Sequence, residues 1–278
     1  MKKVSLILLT AVIFSFIACD KIDEDNYVNY SGTTGKWYDD INPISDKSQR
    51  VYLEKYTGSY CVNCPSADAI ITSAIEKYGN RLIVVAIHPA GNNYAQPHPG
   101  DPDLRSEDGA TWAEYFKANG LPAAMVNRTG SCFTPSGDID SKISANLNKP
   151  DTLAIAAECR LKSEDMISVS ARIEFLQQVD APLNITILLI EDSIITKQSD
   201  LSGEIPNYSQ NHVLRKVITP VWGAPVDADG KVGTRRYATF DSELANTGWD
   251  LTHCHIVAFI TNRETKEVLN VTECDILH

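Results

Sequence analysis

The chain has 278 residues and is 43% hydrophobic, enough for two ordinary domains with cores of their own. A net charge of −11 argues against a nucleic-acid partner, which needs clustered Lys and Arg facing phosphates. It also argues against polybasic docking on anionic lipid.

The N-terminus reads as a secretory signal. Lys2 and Lys3 form its positive region, and Val4 to Ala18 is apolar but short for a comfortable membrane span. The run ends Phe16-Ile17-Ala18-Cys19, and a small residue ahead of a cysteine there resembles the lipobox of bacterial lipoproteins, with Phe16 where Leu is usual. That resemblance implies a lipoprotein signal peptide over residues 1–19, lipidation of Cys19 and a membrane anchor rather than a span. No second long apolar stretch follows, so no transmembrane helix is expected. Residues 20–48, opening Asp20-Lys21-Ile22-Asp23-Glu24-Asp25, read as an acidic polar tether. The acidic residues behind Cys19 also resemble surface-export signals of some Gram-negative lipoproteins.

A first domain is expected over residues 49–149. Val51-Tyr52-Leu53 is a strand that leads into Tyr60-Cys61-Val62-Asn63-Cys64-Pro65, and Ala67, Ile70, Ile71, Ala74, Ile75 and Tyr78 then recur at helical spacing. Strand, Cys-x-x-Cys, helix is the architecture of a redox-active dithiol. Unpartnered N–H groups and the helix dipole at the first turn would stabilise a Cys61 thiolate and raise its reactivity. Pro65 in the first turn sacrifices no hydrogen bond. Leu82 to Ile87 is a continuous apolar run, a central strand parallel to the first through a right-handed crossover. The polar stretch 88–109 reads as a long loop, either decorative or a lid over the dithiol. Its His88, His98, Asp101 and Asp103 lack metal-ligand spacing, so no metal is expected there. Residues 110–119 and 138–148 read as helices.

Between those helices lies Gly120-Leu121-Pro122, directly before the strand Ala123-Ala124-Met125-Val126. Downstream of strand–CxxC–helix, this resembles the thioredoxin superfamily. The resemblance implies that Pro122 is cis and packs against the dithiol, and that Leu121 offers its backbone to a bound polypeptide. Tyr60 replaces the usual Trp, and Lys55 stands where many thioredoxins have a proton-relaying Asp; Glu54 beside it is the alternative acid.

After Lys149-Pro150-Asp151, period-two alternation takes over. Ile167, Val169, Ala171, Ile173 and Phe175 alternate with Ser168, Ser170, Arg172 and Glu174. About seven such strands over 150–278 predict an antiparallel, Ig-like β-sandwich. The fold class expected is therefore an α/β thioredoxin-like domain followed by an all-β sandwich. An odd-length loop over Asn262 to Lys266 would set Phe259 against Leu269 and Cys254 against Cys274, making a Cys254–Cys274 disulfide possible. With Cys19 lipidated and Cys61 paired to Cys64, the other four cysteines allow three connectivities, and Cys132–Cys159 is the pair left over. Asp227-Ala228-Asp229-Gly230 lacks the terminal Glu of a calcium loop and reads as a turn. Asp151-Thr152-Leu153 and Asp192-Ser193-Ile194 resemble short O-glycosylation sites of some bacterial envelope proteins.

The arrangement as a whole resembles the Omp28-related outer membrane lipoproteins. The residues that carry this are Leu53-Glu54 before Thr57-Gly58, Cys61-Val62-Asn63-Cys64-Pro65, Asn211-His212-Val213-Leu214-Arg215 ahead of Trp222-Gly223, and Val257-Ala258-Phe259 with Lys266-Glu267-Val268-Leu269. The resemblance implies a protein lipid-anchored at the outer membrane, on its periplasmic or cell-surface face. Two functions fit. In one, Cys61 and Cys64 exchange disulfides with envelope protein thiols, with Pro122, Leu121 and Tyr60 at the substrate and no cofactor. In the other, Cys61–Cys64 is an inert staple and the protein binds a glycan, peptide or other envelope protein. An exposed Cys61 beside an open groove would favour exchange; an exposed patch holding Trp222 and Trp249 would favour binding.

Overall fold

The computed structural model describes residues 35–244 and 247–277. The signal peptide, Cys19 and residues 20–34 of the expected tether lie outside them. In chain order the first elements are β1 (Tyr38–Asp39), β2 (Val51–Tyr56), α1 (Cys64–Tyr78), β3 (Leu82–Pro89), β4 (Arg105–Ser106), α2 (Glu107–Tyr115), β5 (Ala123–Val126) and α3 (Ile139–Leu147). Long strands follow: β6 (Leu153–Ser163), β7 (Met166–Phe175), β8 (Leu183–Glu191), β9 (Ile194–Asp200), β10 (Gly203–Gln210) and β11 (Val213–Val217). The chain closes with β12 (Ala224–Pro225), β13 (Arg235–Glu243), β14 (Cys254–Asn262) and β15 (Val268–Leu277).

Strands β2 and β3 pair in parallel from Val51–Leu82 to Tyr56–Ile87, with α1 as the crossover. That helix buries Ala67, Ile71 and Ala74 and stops at Gly79, whose φ of 53° a side chain would resist. Its apolar face meets Val51, Leu53, Leu82 and Val84, together with Ile139 and Ile143 of α3. Helix α2 starts earlier than its apolar stripe suggests, because Ser106 caps it by accepting the Gly109 N–H at 3.0 Å.

The structure is β-rich, with three α-helices among the described residues and one large mixed sheet ordered β1-β13-β7-β6-β15-β14-β8-β11-β3-β2-β5. Parallel pairing of β11 with β3, Val213 opposite Ala86, joins the strands of both halves into that sheet. The strands after residue 150 are not all antiparallel either: β15 runs parallel to β6, with Ile276 opposite Cys159. One core lies between β6, β7 and β13 on one side and β8 and β14 on the other, and includes Ile155, Val169, Phe240, Ile187 and Ile256. A second lies on the opposite face of β8 and β14, where Leu188, Ile190, Val257 and Phe259 meet Tyr52, Val85 and Trp112. Every residue of β8 is buried for this reason.

Two expectations are corrected. Residues 35–48 are not a solvated tether. Trp37 and Ile44 are buried, and Tyr38 and Asp39 pair with Tyr237 and Arg236 of β13. The free edge of β13 supplies hydrogen bonds, and two apolar side chains supply burial. The Cys254–Cys274 disulfide is absent: Ile256 faces Cys274, and Cys254 faces Glu191. The β14–β15 loop is Arg263–Lys266, closed by the Asn262 N–H on the Glu267 carbonyl, and a bulge at Ile260/Thr261 shifts the register further. Cys132, Cys159, Cys254 and Cys274 are all free thiols. Burial pushes the last three up to about 12, so they stay protonated.

Candidate functional site

Strand β2 delivers the chain into the turn at Thr57–Tyr60. The Cys61 N–H donates to the Gly58 carbonyl at 3.0 Å, and the Cys64 N–H donates to the Cys61 carbonyl at 3.1 Å. Cys64 is the first residue of α1, and its sulfur is bonded to that of Cys61. Gly58 is required by close approach, since a Cβ there would stand 2.3 Å from the Tyr94 carbonyl oxygen. The loop after β3 therefore packs on the dithiol turn. The Tyr60 N–H donates to Tyr94, the Tyr60 ring stacks on His98 at 3.9 Å, and His98 Nε2 lies 3.1 Å from the Ser59 carbonyl. The Leu121–Pro122 bond is cis, and Ala123 pairs with Tyr56, so Pro122 lies at the same end of the sheet as the dithiol. Leu121 packs against the second core.

A feature with no counterpart in the sequence reading covers the site. Strands β9 and β10 form a two-stranded hairpin apart from the main sheet. Its inward side chains, Thr196, Gln198 and Gln210, are polar and buried. Gln198 Nε2 donates to the carbonyls of Gly58 and Cys61, both at 3.1 Å, and Gln210 Nε2 donates to Gln198 Oε1 at 3.1 Å. The Ser199 N–H donates to the Ser59 carbonyl at 2.7 Å, and Lys197 N–H donates to Asp101 at 2.7 Å. Under this cover Cys61 is 3% exposed and Cys64 1%. Both roots of the hairpin, Ser193 and His212, have left-handed backbones with φ near 60°, tied by the Ser193 N–H on Asn211 Oδ1.

Lys55 makes an ion pair with Asp68 of α1 at 2.8 Å, and the Tyr208 hydroxyl of β10 donates to the same carboxylate at 2.6 Å. Glu54 does not serve as the missing acid. It faces the second core, where both Arg128 Nε and Nη2 donate to its Oε1 and the hydroxyls of Tyr52 and Tyr56 complete its shell. His88 is 1% exposed, and neither ring nitrogen has a hydrogen-bond partner among the described residues. Burial, aided by Lys55 and Arg215, lowers its pKa to about 3, so the ring is neutral. Trp222 and Trp249 form no exposed patch; each packs against a core.

These features define a β-rich protein with a covered CxxC disulfide at a helix start. The family model described as Outer membrane protein Omp28 matches residues 110–277, and the chain belongs to that family of outer membrane proteins. The matched span begins downstream of Cys61 and Cys64. No helix among the described residues is long and apolar enough to cross a membrane. Among solved structures, HBP35 of Porphyromonas gingivalis is similar at 18% identity and a TM-score of 0.62, over 82% of this chain and 76% of that one. Protein AGR_C_4864 from Agrobacterium tumefaciens is similar at 12% identity and a TM-score of 0.53, over 83% and 96%. A domain of the outer membrane lipoprotein Omp28 from Porphyromonas gingivalis aligns at 21% identity and a TM-score of 0.33, over 45% and 88%. A search of curated proteins returns no match.

Proposed function

We propose that this outer membrane protein is lipid-anchored through Cys19 and works by binding a surface ligand, with Cys61–Cys64 as a structural disulfide. In this reading a thioredoxin-like module over 49–149 and an Ig-like sandwich over 150–278 serve as scaffold. The ligand is a glycan, a peptide or another envelope protein. The observation that carries it is the cover. Thiol–disulfide exchange needs a thiolate to reach a sulfur, and at 3% exposure Cys61 lies beneath Gln198 and Ser199. Anchoring is tested by Cys19→Ser, expected to move the protein from the membrane to the soluble fraction; retention in the membrane would refute it.

One observation favours a second reading: Cys61–Cys64 sits at the start of α1, where unpartnered N–H groups stabilise a thiolate. In that reading the hairpin lifts about Ser193 and His212. The Cys61 thiolate of the reduced pair then attacks a disulfide of an envelope protein, forming a mixed disulfide and releasing one substrate thiolate. Cys64, as thiolate, attacks Cys61, releases the second substrate thiolate and restores Cys61–Cys64. Two electrons pass from the dithiol to the substrate. Leu121, Pro122 and Tyr60 would then flank the substrate chain. A glutathione redox series with thiol trapping separates the two. A pair still oxidised below about −300 mV supports the staple; reversible conversion between about −120 and −270 mV supports exchange.

A further inference from the structure

A second feature lies on the other face of β2, away from the disulfide. Between the C-terminal end of α2 and the loops around 130 and 265 is an open cleft of about 480 Å³, within the size range of small-molecule sites. Tyr115 and Phe116 make the aromatic wall of its lining, which also includes Lys117, Arg128, Ser131 and Cys132.

Arg128 is 4% exposed and rigidly held. Its guanidinium lies 4.5 Å from the Trp112 ring and 5.0 Å from that of Phe259. Asn127 and Arg128 both have left-handed backbones, with φ of 48° and 54°. The Tyr52–Asn127 pair of hydrogen bonds, each 2.8 Å, pins that turn. Glu54 takes Nε and Nη2, whereas Nη1 has no hydrogen-bond partner among the described residues. The ion pair with Glu54 accounts for the inward turn but not for this remaining donor beside the cleft.

Beside the Arg128–Glu54 pair, the lining of the cleft adds one further cation, Lys117, and no acidic residue. Lys117 has no ion-pair partner among the described residues, and Lys266 stands 5.4 Å from the Trp222 ring. Burial lowers the Lys266 pKa, with Arg128 and Arg263 adding to it, so these cations share one field. Cys132 adds no negative charge, since burial and Glu54 push its thiol up to about 11. Tyr115, half exposed, packs edge-on to Trp222 at 4.8 Å and continues the aromatic wall.

We propose that this cleft binds a small carboxylate carrying an aromatic or other flat apolar body. A planar carboxylate matches the remaining guanidinium donor and the adjacent lysine, and a flat body covers the Tyr115–Phe116 wall. A compact tetrahedral anion would satisfy the charge and leave that wall wet.

The test is a ligand-observed NMR titration of the full chain in mild detergent with benzoate, acetate and inorganic phosphate. Benzoate is expected to bind with a Kd of about 0.1–1 mM and acetate about tenfold more weakly, the difference arising at the aromatic wall. Arg128→Met should abolish binding, but it endangers the fold by stranding Glu54. Lys117→Glu and Tyr115→Ala alter the lining, and each should weaken benzoate about fivefold while circular dichroism stays unchanged. No benzoate binding at about 20 mM overturns the proposal. So does binding that neither variant moves, or phosphate binding as tightly as benzoate.

Discussion

Glu54 and Lys55 are neighbours on β2 and therefore face opposite sides of the sheet. Each is a charge withdrawn from water, and each is neutralised by one opposite charge and by tyrosine hydroxyl chemistry. On the Glu54 side the partners pack into the interior, and Arg128 alone also touches the cleft. Arg128 and Glu54 have side chains 1% and 0% exposed, ringed by Tyr52, Tyr56, Trp112 and Phe259. On the Lys55 side the side chains of Lys55 and Asp68 are 8% and 16% exposed, and the tyrosine comes from a hairpin outside the main sheet. The same electrostatic problem is thus met by a fixed brace on one face and by a clasp on the other. The Glu54 brace and the Lys55–Asp68 pair of β2 and α1 are both independent of the hairpin; only the Tyr208 bond that closes the clasp depends on the hairpin being down.

The largest effect is expected at Arg128. Arg128→Met leaves Glu54 buried without its cation and should cost about 3–5 kcal/mol in urea unfolding. A loss below about 1 kcal/mol would mean that the brace contributes little. The next effect lies on the clasp side and depends on pH. Unfolded, His88 titrates near 6.5; folded, it titrates near 3. Between those values the unfolded chain binds a proton that the folded chain does not. Stability attributable to His88 is therefore complete above about pH 6.5 and is lost on acidification, by about 2 kcal/mol at pH 5. Urea midpoints of His88→Phe should show a flatter decline from pH 6.5 to 5 than those of the unaltered chain; parallel curves would exclude His88 as the cause. The smallest effect is expected from Tyr208→Phe, about 1 kcal/mol in stability. Its sharper readout is the rate at which a small phosphine reduces Cys61–Cys64, which should rise because the hairpin opens more often. An unchanged rate would show that Tyr208 does not hold the cover.

What could be read in the sequence follows the same division. The β2–α1–β3 unit was legible because α1 keeps helical spacing, β3 is an unbroken apolar run, and Pro65 and Gly79 mark the ends of the helix. The dithiol was legible from the spacing of Cys61 and Cys64. Its cover was not, because β9 and β10 alternate in the wrong currency: their inward residues are Thr196, Gln198 and Gln210, and hydropathy does not register a buried amide that is fully hydrogen-bonded. The brace was hidden for another reason. Glu54 and Arg128 are 74 residues apart, and no local pattern pairs them. Register was lost by one residue at the β14–β15 loop and by one more at the bulge, and the two together moved Cys254 away from Cys274. Trp37 and Ile44 are single apolar residues in a polar stretch, too sparse for any period to reveal that they are packed.

Strand β8 has one further consequence. Ile187 and Leu188 are adjacent in the chain yet belong to different cores, as do Ala258 and Val257 on β14. These two strands are a party wall, finished on both sides. Cutting the chain after residue 149 would leave the whole wall in the C-terminal fragment with one side bare at Leu188, Ile190 and Phe259, and would uncover Tyr52 and Val85 in the other fragment. The two halves expected from the sequence thus meet at a wall that the second half supplies and the first half leans on.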